Sequence, residues 1–347
     1  MVPLVSSPNI HGQVTELNKT LRRAGVSFKG QRVLVTGGSG FLGSWICDVL
    51  VLQDAEVVCI DNFSSGHPSN IEHLRGKRNF NLIEHDITKP IELDGNFDLV
   101  MHLASRASPL EFASFPIQIL KANTLGIWVA LGIAKRHESR FLFTSTSEVY
   151  GNPTEGNVPT AENYNGNINP IGLRGCYDEA KRCGEAFVFA YHRQHGLDTR
   201  IARIFNTYGP RLRAGDTYGR VVSRFVSQAL RSKSITIFGD GRQTRSFLYV
   251  TDQVEGLLRL AAFPNLTGQV INIGSEEEIR IIELAQLIKR LTESNSPITF
   301  LPLPVDDPVR RCPDISRARE YLKWSPSTKL DEGLKMTAEW FKGCSLN

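Results

Sequence analysis

Two side chains, Tyr177 and Lys181, stand four residues apart in the stretch Arg174-Gly-Cys-Tyr-Asp-Glu-Ala-Lys-Arg182. On a helix, positions i and i+4 share one face, so a phenol and an ammonium can act on one reacting group. A free tyrosine titrates at about 10, and a fixed cation beside it favours the phenolate and lowers that value. Such a phenol takes a proton from an alcohol at neutral pH while a hydride leaves the same carbon. The spacing alone is common in proteins. The weight therefore falls on what the rest of the chain places around it.

A hydride acceptor needs a bed, and one is written near the start. The β-branched run Arg32–Thr36 enters Gly37-Gly-Ser-Gly40-Phe41-Leu42-Gly43-Ser44, and a helical pattern follows over Trp45–Gln53. Strand, glycine turn and helix bring exposed N–H groups to a helix start, where a pyrophosphate binds. The next strand, Glu56–Ile60, ends in Asp61, 18 residues beyond Gly43. A carboxylate there accepts the ribose hydroxyls of a dinucleotide and repels a 2′-phosphate. Asn62 follows rather than an arginine, so NAD is expected over NADP.

Further units alternate strand and helix. Phe80–Ile87 ends in Asp86 and Ile87, where an adenine edge lies in such folds, and Phe97–Ala104 runs into Ser105-Arg106-Ala-Ser-Pro109. Long helices are expected over Pro116–His137 and Tyr177–His195. Between them Arg140–Thr144 leads into Ser145-Thr146-Ser147-Glu148, hydroxyls and a carboxylate at a strand's carboxyl end, the edge where ligands bind. Thr199–Phe205 feeds Asn206–Pro210, after which the pattern is irregular: a helix over Arg220–Arg231, a strand at Ile235–Phe238, a helix to about Ala262, Val270–Gly274, a helix over Ile282–Thr292 and a proline-rich segment including Pro304 and Pro308.

The expected class is α/β, a Rossmann-type doubly wound parallel sheet with a smaller α+β C-terminal substrate lobe. Residues 1–30 are an N-terminal arm with an amphipathic helix near Val14–Arg23. Residues 31–205 with 236–262 form the dinucleotide-binding domain, and 206–235 with 263–347 the substrate lobe.

At 347 residues, 41% apolar and 22% charged, the composition is that of a globular protein with a large core. The net charge of +4 is spread along the chain without a basic block, so nucleic acid is not expected as a partner. Six cysteines show neither C-x-x-C spacing nor a histidine cluster, so no metal is expected and the thiols fit a reducing compartment. No apolar run approaches membrane-spanning length and no signal-peptide core opens the chain. Cytoplasm is the expected location.

From about Arg32 to Phe341 the chain resembles the UDP-glucuronate decarboxylase (UDP-xylose synthase) branch of the extended short-chain dehydrogenase/reductase family. The strings are Val-Thr-Gly-Gly-Ser-Gly-Phe-Leu-Gly-Ser (35–44), Leu-Ala-Ser (103–105), Asn-Thr-Leu-Gly (123–126), Thr-Ser-Thr-Ser-Glu-Val-Tyr-Gly (144–151), Asn-Pro-Ile-Gly (169–172) and Cys-Tyr-Asp-Glu-Ala-Lys-Arg (176–182). Ala-Arg-Ile-Phe-Asn-Thr-Tyr-Gly-Pro-Arg (202–211), Gly-Arg-Val-Val-Ser (219–223), Gln-Thr-Arg-Ser-Phe (243–247) and Asp-Asp-Pro-Val-Arg-Arg-Cys-Pro-Asp (306–314) complete the set.

The resemblance implies oxidation at C4 of a bound UDP-sugar, loss of carbon dioxide from C5 and re-reduction, with NAD recycled. It assigns Tyr177 as base with Lys181 beside it and Thr146 on the C4 oxygen. Ser147 stands where the related 4,6-dehydratases carry an aspartic acid. Glu148 lies near C5, with Arg311 reaching the same pocket. Cofactor contacts are implied at Gly37, Gly40, Phe41, Leu42, Gly43, Asp61, Asn62, Phe63, Ser65, Gly66, Asp86, Ile87, Leu103, Ala104, Ser105, Thr144, Tyr177 and Lys181. Substrate contacts are implied at Lys121, Asn206, Arg220, Arg245 and Arg182, the last facing either the site or a subunit interface. A homodimer through a four-helix bundle of the Ile117–Ile133 and Phe187–Tyr191 helices is also implied.

Departures from the family pattern concern how the carboxylate is held. Arg106 replaces a proline, Phe112 a tyrosine and Cys312 a lysine, and the Leu212–Tyr218 loop is about two residues longer. Competing readings are a UDP-sugar 4-epimerase or 4,6-dehydratase, which Ser147-Glu148 and Arg311 disfavour. A non-catalytic NAD-binding sensor would usually lack the tyrosine or lysine kept here.

Overall fold

The computed structural model describes residues 9–213, 220–303 and 310–345. In chain order the strands are β1 (Arg32–Thr36), β2 (Glu56–Asp61), β3 (Phe80–Glu84), β4 (Leu99–His102), β5 (Arg140–Thr146), β6 (Thr199–Ile204), β7 (Thr207–Tyr208), β8 (Ile235–Phe238), β9 (Thr244–Ser246), β10 (Leu248–Tyr249), β11 (Gln269–Ile273), β12 (Glu278–Arg280), β13 (Ile298–Leu301) and β14 (Arg310–Arg311). The α-helices are α1 (Ile10–Arg23), α2 (Phe41–Leu52), α3 (Pro109–Ser114), α4 (Pro116–Arg136), α5 (Gly175–His195), α6 (Val221–Leu230), α7 (Val250–Ala262), α8 (Ile281–Leu291), α9 (Ser316–Leu322) and α10 (Leu330–Ser345).

Seven parallel strands form the central sheet in the order β11-β6-β5-β4-β1-β2-β3. The order reverses between β1 and β4, the switch point at which open α/β sheets bind ligands. Alternation along each strand divides the core into two layers. Val33 and Val35 of β1 pack with α1, α2 and α7 through Leu21, Trp45, Ile46 and Leu257. Leu34 faces the other way, into a layer with Ile127 and Ala130 of α4 and Val188 of α5. Each aliphatic side chain fully buried there contributes about 1.5–3 kcal/mol, so the sheet is a rigid base for the groups at its carboxyl edge.

Several expectations change. The arm is part of the core: Asn9 caps α1 by accepting the Gly12 N–H at 3.0 Å, and Leu21 and Phe28 are fully buried. The lobe boundaries move as well. β11 lies in the main sheet beside β6, with Ile271 opposite Ala202, because Val-Ile-Asn-Ile is an apolar run suited to a strand buried on both faces. Conversely β8 leaves the main domain and pairs with β13. The amphipathic α9 and α10 were not expected; Leu322, Leu334 and Phe341 bury them against the core. By length and composition α4 could cross a membrane, contrary to the sequence reading, but half of its most apolar window is buried against the fold. Most of the Leu212–Tyr218 loop, Pro304, Pro308 and the Asp306–Val309 part of a quoted string lie outside the described residues.

Candidate functional site

A cleft of about 1190 Å³ runs along the carboxyl edge of the sheet, and a pocket of about 230 Å³ adjoins it. Glu148, Arg174, Asn206 and Arg220 line both, so the two spaces share a wall.

The β1–α2 turn shapes one end of the cleft. Gly37 has φ +74°, and a Cβ there would lie 2.8 Å from the Ala104 backbone. At Gly43 a Cβ would meet the Gly37 carbonyl oxygen at 2.2 Å, so only glycine lets α2 sit this close to the turn. Asp61 accepts the Ser39 N–H at 2.9 Å and the Phe63 N–H at 2.8 Å. These bonds fix the carboxylate at the strand end, and each oxygen keeps acceptor capacity for a ribose hydroxyl. Gly40, Phe41, Leu42, Asn62, Ser65, Gly66, Asp86, Ile87, Leu103, Ala104, Ser105 and Thr144 line the same cleft. A turn with glycine at its closest approaches, beside a fixed strand-end carboxylate, fits an NAD pyrophosphate and ribose.

The reacting groups lie further along. Tyr177 projects from the first turn of α5, and the Thr146 hydroxyl at the end of β5 hydrogen-bonds its phenol. Lys181, one turn on, donates from Nζ to the Thr144 carbonyl at 2.9 Å and lies 5.9 Å from the Tyr177 ring centroid. The acidified phenol expected from sequence is not what the chain alone produces. Burial, and then the Glu148 charge, push the Tyr177 phenol well above its usual value. Burial likewise draws the Lys181 ammonium down to about 7. A base at neutral pH therefore needs positive charge brought into the cleft. Phe112 stacks on the tyrosine with centroids 5.2 Å apart and planes at 17°, so the ring that cannot donate a hydrogen bond serves as the phenol's packing surface.

Glu148 is clasped by two guanidinium groups. Arg311 donates from Nη1 to Oε1 at 2.5 Å and from Nη2 to Oε2 at 2.8 Å, and Arg174 donates to Oε2 from the other side. Burial would raise this carboxyl, but Arg174 and Arg311 overrule it and hold it at about 2. Ser147 is buried beside it. Arg245, Arg220 and Asn206 line the adjoining pocket, and Lys121 the cleft. Cys312 lines neither; burial pushes its thiol up to about 12.

Arg182 does not join the site. It donates to the Val149 carbonyl at 3.2 Å and the Asn165 carbonyl at 2.5 Å, and pairs with Glu179 at 3.5 Å. It braces the loop before α5, because its place one residue past Lys181 turns it off the face that carries Tyr177. Arg174 was given no role from sequence. Its signal was its place three residues before Tyr177, one helical turn away. Phe238, Gln243 and Phe247, which line the smaller pocket, had no comparable signal beyond their place in or near quoted strings.

Residues 33–274 match the model of the NAD dependent epimerase/dehydratase family, and the chain belongs to that family. Within it, the chain is similar to UDP-glucuronic acid decarboxylase 1 of Danio rerio, 47% identical over 330 residues that cover 94% of this chain and 77% of that protein. It is equally similar to UDP-glucuronic acid decarboxylase 6 of Arabidopsis thaliana, 47% identical over 93% of this chain and 92% of that one. Among solved structures, UDP-glucuronic acid 4-epimerase from Bacillus cereus, in complex with UDP-glucuronic acid and NAD, superposes with a TM-score of 0.79 at 29% identity. That match covers 90% of this chain and 99% of the other.

Proposed function

We propose that the chain is an NAD-dependent UDP-glucuronate decarboxylase that makes UDP-xylose through a 4-keto sugar. The observation that carries this is the partly buried Glu148 held between Arg174 and Arg311, in the wall shared by the dinucleotide cleft and the smaller pocket. NAD, held by the glycine turn and Asp61, would supply the hydride acceptor and donor for C4, and the positive charge of its oxidised form would favour the Tyr177 phenolate. Tyr177 takes the C4 hydroxyl proton, with Thr146 hydrogen-bonding the same oxygen. A C4 ketone makes the C5 carboxylate a β-keto acid, so loss of carbon dioxide leaves an enolate whose charge rests on the C4 oxygen. Thr146 and Tyr177 are placed to hydrogen-bond that oxygen. Glu148, held ionised by its two arginines, orients a water that relays a solvent proton to C5, and Tyr177 gives its proton back to the C4 oxygen as the hydride returns. Ser147 can donate a hydrogen bond to a carboxylate but cannot serve as the acid a 4,6-dehydratase needs. Arg220, Arg245 and Asn206 supply donors for the diphosphate.

The reading includes a homodimer in the cytoplasm. Ile117, Leu125 and Trp128 of α4 are 58%, 45% and 50% exposed, an apolar face on a helix already packed against α5, which supports pairing with a second copy.

The test is incubation of the purified protein with UDP-glucuronate and NAD. Carbon dioxide and UDP-xylose in equal amounts are expected. Conversion to the C4 epimer without carbon dioxide would make the protein an epimerase, the activity named for the structural relative.

A further inference from the structure

One buried titratable group has no part in the steps above. Asp178 follows Tyr177 on α5, and its side chain is 6% exposed. Its Oδ2 lies 3.6 Å from Nε of Arg174, one helical turn earlier, and its Oδ1 is buried with no hydrogen-bond partner among the described residues. The charges facing it are Glu148 from the turn after β5, Arg311 from β14, Arg174 from the cap of α5 and Glu179 from α5 itself. Four side chains thus alternate in sign, Asp178, Arg174, Glu148 and Arg311, across three elements that meet at the reacting end of the cleft.

We propose that Asp178 is a positioning residue that acts through Arg174: it holds the Nε edge of the guanidinium and so sets how fully Arg174 is given to Glu148. The inference rests on the decarboxylase reading for what Glu148 does, but the pairing itself does not. Ionised Asp178 divides Arg174 between two carboxylates and adds negative charge beside Glu148 and the Tyr177 phenol. Protonated Asp178 leaves Arg174 to Glu148. Burial, followed by the Glu148 charge, raises the Asp178 carboxyl to about 7, so the division changes around neutral pH. Asp178 also raises the Tyr177 phenol, and Arg174 lowers it, so removing the Asp178 charge makes the phenol a base at lower pH.

The experiment measures carbon dioxide release as kcat/KM against pH for wild type, Asp178→Asn, Arg174→Gln and the double variant. Asp178→Asn is isosteric and should move the acid limb down by about one pH unit, the scale of a neighbouring like charge. In the Arg174→Gln background the same substitution should move it by a clearly different amount, since only the direct effect of the Asp178 charge on the phenol remains and sites that act through one another are not additive. Superimposable profiles for wild type and Asp178→Asn, or an equal shift in both backgrounds, overturn the proposal. If Asp178→Asn does not fold, the carboxyl 13C shift of Asp178 is titrated in wild type and in Arg174→Gln. Different midpoints support the pairing and coincident ones overturn it. A wild-type protein that releases no carbon dioxide defeats the decarboxylase reading, while the carboxyl titration still decides the pairing.

Discussion

At the scale of single residues, the site is governed by burial acting against charge. Tyr177 and Lys181 are both driven toward their neutral forms by desolvation, and Glu148 stays ionised only because two guanidinium groups outweigh the same penalty. Tyr177→Phe should abolish turnover while NAD binding, followed by fluorescence titration, stays within about threefold, because the phenol's oxygen is the base and the ring's packing on Phe112 is kept. Wild-type rates in that variant would remove the tyrosine from the chemistry. Glu148→Gln leaves the buried Arg311 and the largely buried Arg174 without their carboxylate. Breaking a buried pair in this way costs about 3–5 kcal/mol, so urea denaturation should show lower stability as well as slower carbon dioxide release. An unaffected rate would exclude Glu148 from proton handling at C5.

At the scale of elements, two helices can be tested separately. α2 approaches the β1 turn so closely that a methyl group at position 43 would lie 2.2 Å from a backbone oxygen. Gly43→Ala should push the helix start off the turn and weaken NAD binding at least tenfold by titration calorimetry. Unchanged affinity would mean the turn relaxes elsewhere. On α4, Trp128→Glu puts a charge in the exposed apolar face and should convert a dimer to a monomer in analytical ultracentrifugation. A wild-type monomer at micromolar concentration would dismiss the pairing. The elements themselves were largely legible. β1, the glycine turn, α2 and β2 follow from a β-branched run, three spaced glycines and a strand-end Asp61, each with a local cause. The length of α1 and the presence of α9 and α10 were not, since their apolar faces become informative only against the surface they cover.

For the whole molecule, folded stability should carry the opposed signs of Glu148 and Asp178. Glu148, held at about 2, contributes stability that is fully present above about 4.5, the unfolded glutamate's value, and is lost as pH falls through 2. Asp178 is raised from 3.8 to about 7, so the native state binds its proton more tightly and stability falls as pH rises between those values. Relative to wild type, Asp178→Asn should therefore gain stability steadily from pH 4 to 7 and level off above. Urea midpoints across that range measure it, and a constant difference between the two proteins would contradict the burial argument.

Sequence alone determined what depends on local chemistry: a parallel sheet from alternating strands and helices, a glycine turn for a pyrophosphate, a carboxylate for a ribose, and a phenol and an ammonium on one helical face. Only the tertiary structure decided whatever depends on distance between elements remote in the chain. Arg311 meets Glu148 across 163 positions, Arg174 reaches the same carboxylate from the start of α5, and Arg182 turns away to brace a loop. β11 joins the main sheet while β8 leaves it. Spacing predicts which side chains share a face, but pairing and proton affinity follow from burial, which no short stretch of sequence contains.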